Sequence, residues 1–78
     1  MPHIAAKMWP GHTEEEKKAF AAAVVDAAVK HLNVPAGWVS VGIEEVAPER
    51  WDEDVFRPEI LGKKDTLYAR SLQLKDDD

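Results

Sequence analysis

The sequence predicts an α/β fold of the α+β type, built on a single β-α-β unit with parallel strands. Two segments, 3–9 and 38–46, alternate in the strand manner, and the segment 14–32 between them consists of strong helix formers. Because parallel strands need a long crossover, and such crossovers are right-handed, we expect the helix to cover one face of both strands.

Each strand segment has one apolar face. In the first, Ile4, Ala6 and Met8 share a face, whereas His3 and Lys7 lie on the other. The apolar face of the second segment consists of Val39, Val41 and Ile43. These two faces are expected to pack against the helix, which leaves the opposite faces without a partner inside the chain.

The helix carries recognisable end signals. Thr13 and Glu16 have the spacing of a capping box, in which each side chain bonds the backbone N–H of the other. Asn33 suits a left-handed cap after Leu32, and Pro35 prevents continuation. We therefore predict a helix over 14–32. The apolar residues that recur at a spacing of four are Phe20, Val24, Ala28 and Leu32.

The chain is short for a stable fold. Two strands and one helix form too little sheet to stand alone, and a chain of 78 residues without cysteine has no disulfides to compensate. We predict that a second copy completes a four-stranded sheet across a two-fold axis, which makes the protein an obligate homo-oligomer.

The C-terminal third has weaker signals. The whole chain, 1–78, is expected to form one domain. Residues 49–60 read as a short helix or a turn-rich segment ended by Pro58 and Gly62, residues 66–69 as a brief edge strand, and residues 72–78 as a frayed acidic tail.

Composition excludes several classes of function. A net charge of −5 without a basic stripe argues against nucleic acid, and no apolar run has the roughly 18 residues of a membrane span. With no signal peptide, we expect a soluble cytoplasmic protein. The three histidines lack the spacing of a helical metal pair and the glycines form no phosphate loop, so neither a metal nor a cofactor is expected.

Pro2 is the candidate catalytic residue. Removal of Met1 would turn it into a free secondary amine, a group that no internal residue supplies. An α-amino group has a pKa of about 7.7–8, and burial lowers that value because it disfavours the charged form. A base of this strength suits proton abstraction next to a carbonyl.

Three segments carry a resemblance to a known family. They are MPHI at 1–4, WPGHTEE at 9–15 and VGIEEVAPERW at 41–51. With these segments the chain resembles the 4-oxalocrotonate tautomerase group of the tautomerase superfamily. The segment 55–68 is similar to that of longer members, a subgroup that tends to be dimeric, whereas shorter members form hexamers. The resemblance therefore implies a homodimer, with a hexamer as the alternative.

The resemblance implies a cofactor-independent keto–enol tautomerase, an isomerase that acts on small 2-oxo acid enols with Pro2 as general base. The position of the aromatic residue that forms a wall of the family's site corresponds to Trp51. Its two arginine positions fall on His12 and Ser40, so the strongest carboxylate clamp is absent. We take His12, Ser40 and Trp51 as substrate-binding candidates, together with Lys7 on the strand that follows Pro2.

Two alternatives remain open at this point. A related enzyme of the hydratase or dehalogenase kind would keep Pro2 protonated and use it as an acid. A catalytically degenerate member would serve as a binding or structural oligomer, an interpretation favoured by the absence of arginine at positions 12 and 40.

Overall fold

The computed structural model describes residues 1–71 and 74. The chain forms two compact units, Met1–Glu45 and Val46–Asp78. The first unit contains strand β1 (His3–Met8), helix α1 (Glu14–Leu32), a 3₁₀ turn (Ala36–Trp38) and strand β2 (Ser40–Glu45). The two strands are parallel neighbours, which confirms the predicted β-α-β unit. The fold is therefore α+β, as the sequence predicts.

Helix α1 has the predicted ends. Thr13 is the N-cap, and its hydroxyl accepts a hydrogen bond from the Glu16 N–H at 3.0 Å while the Glu16 carboxylate accepts one from the Thr13 N–H at 2.8 Å. Asn33 ends the helix in the left-handed conformation, with φ 57°. The capping box and the cap residue thus fix both ends of the helix, as local sequence signals alone indicate.

The strands are shorter than predicted. β1 stops at Met8 rather than Trp9, and β2 runs from Ser40 to Glu45 rather than from 38 to 46. The later start of β2 has a local cause, because the 3₁₀ turn uses the Trp38 N–H, which donates to the Pro35 carbonyl at 3.0 Å. The register pairs His3 with Ser40, Ala5 with Gly42 and Lys7 with Glu44.

The face of α1 that is covered agrees with the predicted one only in part. Val24 is half-buried and Ala28 is 7% exposed, but Phe20 and Leu32 are 46% and 60% exposed. A spacing of four residues exceeds one helical turn, so each step rotates the side chain by about 40° and the two end residues leave the covered stripe. The residues of α1 that are half-buried or buried are Lys17, Ala21, Val24, Val25 and Ala28.

One edge of this stripe is fixed by an ion pair. The Lys17 ammonium lies 2.9 Å from the Glu45 carboxylate at the end of β2 and 3.4 Å from the Glu14 carboxylate. The hydrogen bond with Glu45 raises the pKa of Lys17 above its ordinary value. This contact joins the first turn of α1 to the carboxyl end of β2.

The second unit is helical where the sequence predicts a short helix or turns. α2 (Pro48–Trp51) continues into a π-helical segment (Asp52–Ile60) and a 3₁₀ segment (Leu61–Thr66). Pro58 does not end the helix, because the chain adopts wider turns there, with the Leu61 N–H donating to the Phe56 and Arg57 carbonyls. At Gly62 a side chain would be too close, since a Cβ atom would lie 2.8 Å from the Arg57 carbonyl oxygen.

The predicted edge strand at 66–69 is wrong. Thr66 is the last residue of the 3₁₀ segment, where its hydroxyl donates to the Lys63 carbonyl at 2.8 Å, and residues 67–69 form no strand. The local bonding of Thr66 outweighs its β propensity. Of the predicted tail, 72–78, only Leu74 falls within the described residues, and its side chain is buried.

The core of the described chain is small. Ala28 is the one buried side chain of Met1–Glu45, and no side chain among residues 1–71 and 74 is less than 2% exposed. Trp9 and Trp38 are each about half exposed, at 54% and 51%. In the described part of the chain no helix combines the length and the apolarity that crossing a bilayer requires.

Candidate active site

Pro2 lies immediately before β1 and is half-buried. Its carbonyl oxygen accepts a hydrogen bond from the Ser40 N–H at 3.2 Å, which extends the pairing of the strands by one step beyond His3. Met1, which precedes it, is 87% exposed. The backbone of Pro2 is thus held at the beginning of the sheet by the first residue of β2.

Ser40 lies beside Pro2 and has a side-chain partner that the sequence did not reveal. The His3 Nδ1 and Ser40 Oγ atoms are 2.6 Å apart, a hydrogen bond whose donor depends on the tautomer of the imidazole. Both residues are exposed and lie on the sheet face opposite Ile4 and Val41. Ser40 is therefore engaged with His3, and His3 becomes part of the candidate site.

From the sequence, His3 is expected to be a packing or hydrogen-bonding residue beside Pro2, on the same alternating face as Lys7. The missing information was the register, because a hydrogen bond between two strands needs the two residues to lie opposite each other. Alternation assigns both His3 and Ser40 to the faces that do not pack on the helix. The presence of one polar side chain on each of these faces was the signal in the sequence for a contact between them.

Lys7 is distant from Pro2 within one chain. It is half-buried near the other end of β1, opposite Glu44 in the register. The five residue steps between Pro2 and Lys7 correspond to about 16 Å along a strand. At this distance, Lys7 is not expected to contact a substrate bound at Pro2 of the same chain.

His12 lies in the turn between β1 and α1, beyond the end of the strand. Its Nδ1 atom is 3.8 Å from the Glu16 carboxylate, and both side chains are largely exposed. A cavity of about 270 Å³ opens beside His12. The residues that line it are Met8, His12, Glu16, Lys17 and Phe20. His12 thus lies at a cavity whose surface is mostly apolar but also includes the charged Glu16 and Lys17.

The Glu16 carboxylate makes this turn sensitive to pH. The hydrogen bond from the Thr13 N–H lowers the pKa of Glu16 below its ordinary value, and the nearby His12 lowers it further. A carboxyl whose pKa is lower in the folded state stabilises that state above its unfolded pKa, and this contribution is lost as the pH falls through the folded pKa.

We therefore expect the wild-type protein to lose stability relative to Glu16→Gln as the pH falls through and below the ordinary glutamate pKa of about 4.3, since only the wild type has this carboxyl to protonate. Urea unfolding at a series of pH values measures the difference. Glu15→Gln is the matched control because Glu15 is exposed in the same turn and forms no capping bond. A wild type and Glu16→Gln that lose stability in parallel would contradict the expectation.

Trp51 lies in the second unit, as the last residue of α2, and is half-buried. The arginines of the same helical stretch are occupied locally. Arg50 binds the carboxylates of Glu53 at 2.8 Å and Asp54 at 2.9 Å, and Arg57 binds Asp52 at 2.6 Å. These two arginines are therefore held by neighbouring acids along their own helix.

The structure brings only part of the predicted site together within one chain. Pro2 and Ser40 are joined through the backbone, whereas Lys7 and His12 lie toward and beyond the far end of β1. Within residues 1–71 and 74, no group of three or more histidine or carboxylate side chains has the geometry to hold a metal ion.

Comparison with known proteins assigns the family. The model of the family described as "Tautomerase enzyme" matches residues 2–52. A curated relative, Tautomerase PptA of Pectobacterium atrosepticum, is 40% identical over 71 residues, which cover 90% of this chain and 93% of the relative. Tautomerase PptA of Cronobacter sakazakii is 38% identical with the same coverage.

Solved structures agree with this assignment. TomN, described as a 4-oxalocrotonate tautomerase homologue in the tomaymycin biosynthetic pathway, is 36% identical with a TM-score of 0.63, over 64% of this chain and 77% of its own. A 4-oxalocrotonate tautomerase isozyme from Methylibium petroleiphilum is 33% identical with a TM-score of 0.60, over 62% and 75% of the two chains. The protein belongs to the tautomerase family, in its 4-oxalocrotonate tautomerase-like group. Membership supports a tautomerase-type isomerase activity on a small molecule.

Proposed function

We propose that the protein is a cofactor-independent keto–enol tautomerase for small 2-oxo acid enols, in which Pro2 is the general base once Met1 has been removed. The observation that carries this proposal is the position of Pro2. It is half-buried at the beginning of β1, its carbonyl is bound by Ser40, and it is the first residue of the family match.

The proposed reaction needs one group that both accepts and returns a proton. The uncharged imino nitrogen of Pro2 takes a proton from the enol hydroxyl, or from the carbon next to the carbonyl in the reverse direction. It then returns that proton to the other site, so the substrate is isomerised and the enzyme is unchanged. A nitrogen in an apolar setting stays uncharged near neutral pH, which suits this work.

The remaining residues have subsidiary roles in the proposal. His12, beside the apolar cavity, and Lys7 provide cationic or hydrogen-bonding groups for a substrate carboxylate. Trp51 provides an aromatic wall that keeps water from the amine. Because Lys7 lies near the far end of β1 from Pro2 and His12 lies beyond that end, they would serve the Pro2 of a different copy of the chain.

An assembly of identical chains is therefore part of the proposal. The exposed apolar side chains of the first unit, among them Phe20, Leu32 and Trp38, and its single buried side chain support association. We propose a homodimer, in which a second copy extends the two-stranded sheet to four strands, with a hexamer as the alternative.

The experiment is turnover of defined enols by protein whose intact mass shows that Met1 is absent. Phenylenolpyruvate and 2-hydroxymuconate represent an aromatic and an aliphatic substrate. The proposal predicts that both isomerise, with kcat/KM rising as Pro2 loses its proton. A rate that falls on deprotonation would instead indicate a hydratase-like acid role.

One observation favours a second candidate, a binding or structural oligomer without catalysis. Ser40 and His12 occupy the positions where related enzymes are expected to carry arginine, and Ser40 is engaged with His3. Absence of turnover by fully processed protein on every enol tested would support this second candidate over the first.

A further inference from the structure

We propose that His3 and Ser40 form one hydrogen-bonding unit of the active site, in which the His3 imidazole donates to the substrate oxygen that gains negative charge. Ser40 is then a positioning residue, because its hydroxyl fixes the ring and does not itself bind the carboxylate. This inference rests on the proposed function and names a residue, His3, that the family resemblance did not supply.

The first argument is the way the pair is held. His3 and Ser40 are register partners on adjacent parallel strands, and their side chains are hydrogen-bonded at 2.6 Å. The Ser40 N–H also donates to the Pro2 carbonyl at 3.2 Å. Side chain and backbone of Ser40 therefore fix the two residues that follow Met1, and the imidazole is carried by the residue next to the proposed base.

The second argument is the space around the ring. Gly42 is the next residue of β2 on this face, and a Cβ atom there would lie 3.9 Å from the His3 Cε1 atom. Ala5 is the next residue of β1 on the same face. Both neighbours are small, and both His3 and Ser40 are exposed, so the ring lies open to a molecule bound above the sheet.

The third argument is the chemistry of the pair. If the Ser40 hydroxyl donates to Nδ1, the His3 Nε2 carries its proton and points away from Ser40. If the ring is protonated, Nδ1–H donates to Ser40 and Nε2–H remains as a charged donor. In both of these states Nε2 offers a donor, whereas the other neutral tautomer, in which Nδ1–H donates to Ser40, leaves Nε2 as an acceptor; the proposal requires one of the first two. In the described residues Ser40 is the only hydrogen-bond partner found for His3.

The pair also indicates a class of substrate. A single imidazole donor suits one enolate or carbonyl oxygen, whereas an arginine fork suits both oxygens of a carboxylate. We infer that His3 serves the oxygen of the reacting enol and that the substrate needs no two-pronged carboxylate clamp at this point. Donors placed where charge develops stabilise the transition state more than the bound substrate.

The test compares His3→Asn, Ser40→Ala and Ser40→Thr in processed protein without Met1. The amide nitrogen of an asparagine approximates Nδ1, so His3→Asn keeps the contact with Ser40 and loses the Nε2 donor. We expect His3→Asn to lower kcat about 100-fold with little change in KM, the weight of one preorganised donor. Ser40→Ala should lower kcat about tenfold, and Ser40→Thr, which keeps the hydroxyl, should restore it.

The double variant His3→Asn/Ser40→Ala should have the kcat of His3→Asn alone, because Ser40 acts through His3. The matched controls are His31→Asn, in the exposed last turn of α1, and Ser71→Ala, also exposed, and both should keep wild-type kcat. Thermal unfolding at one protein concentration verifies that each variant is folded.

The inference would be overturned if His3→Asn had the same kcat as His31→Asn. It would also be overturned if the effects of His3→Asn and Ser40→Ala were independent and multiplied in the double variant. If His3→Asn does not fold, a Ser40→Ala kcat equal to that of Ser71→Ala would overturn it as well. Failure of the proposed function has a different signature, because the processed wild type would then turn over no enol, or Pro2→Ala would retain full activity, whatever the His3 variants do.

Discussion

Pro2→Ala is expected to lower kcat/KM for enol isomerisation by about two to four orders of magnitude, the usual contribution of a positioned general base. Alanine keeps an N-terminal amine after removal of Met1, but it is a primary amine without the ring that fixes the nitrogen at the beginning of β1. Assays that follow the ultraviolet absorbance of the enol at pH 7 measure the change in kcat/KM directly.

Two comparisons isolate the nitrogen as the cause. A variant that retains one residue before Pro2 converts the amine into an amide and should lose activity at least as completely, although its ring is intact. Pro35→Ala is the matched control, since Pro35 is exposed after α1 and is remote from the N-terminus in the sequence. Activity in the extended variant equal to that of the wild type would exclude Pro2 as the base.

The temperature of unfolding is expected to rise with protein concentration, by roughly 3–5 °C for each tenfold increase. The physical reason is the small core, in which Ala28 is the only buried side chain of Met1–Glu45. If folding needs the burial of surfaces such as those around Leu32 and Trp38 between copies, mass action links stability to concentration. Thermal unfolding over a 100-fold range of concentration measures the slope.

Sedimentation equilibrium on the same samples gives the number of chains. A mass of two chains would agree with the proposed homodimer, and a mass of six would select the hexamer. An unfolding temperature that does not depend on concentration, together with the mass of a single chain, would contradict the assembly and with it the placement of His12 and Lys7 at another chain's Pro2.

The parts of the fold that depend on neighbouring residues were predictable from the sequence. The limits of α1 follow from Thr13, Glu16 and Asn33, whose side chains or conformations act within one turn of the helix. The parallel pairing of β1 and β2 follows from the long helix between them. These signals are local or topological, so the sequence of the chain alone is sufficient to predict these parts of the fold.

The parts that depend on distant contacts were not predictable. The contact between His3 and Ser40 needs the register of two strands, and the exposure of Phe20 needs the orientation of α1 on the sheet. At Pro58 the propensity rule fails, because a wide π-helical turn accommodates the ring that an α-helix excludes. The roles of Pro2, His12 and Trp51 remain proposals for the same reason, since they depend on an assembly of chains.

The most direct measurement is an ¹⁵N NMR titration of the Pro2 nitrogen in protein whose intact mass shows the loss of Met1. Catalysis by an uncharged imino group predicts a single titration with a pKa clearly below the value of about 7.7–8 of a hydrated α-amine. A pKa at or above that value, or a native mass that still includes Met1, would contradict Pro2 as the catalytic base.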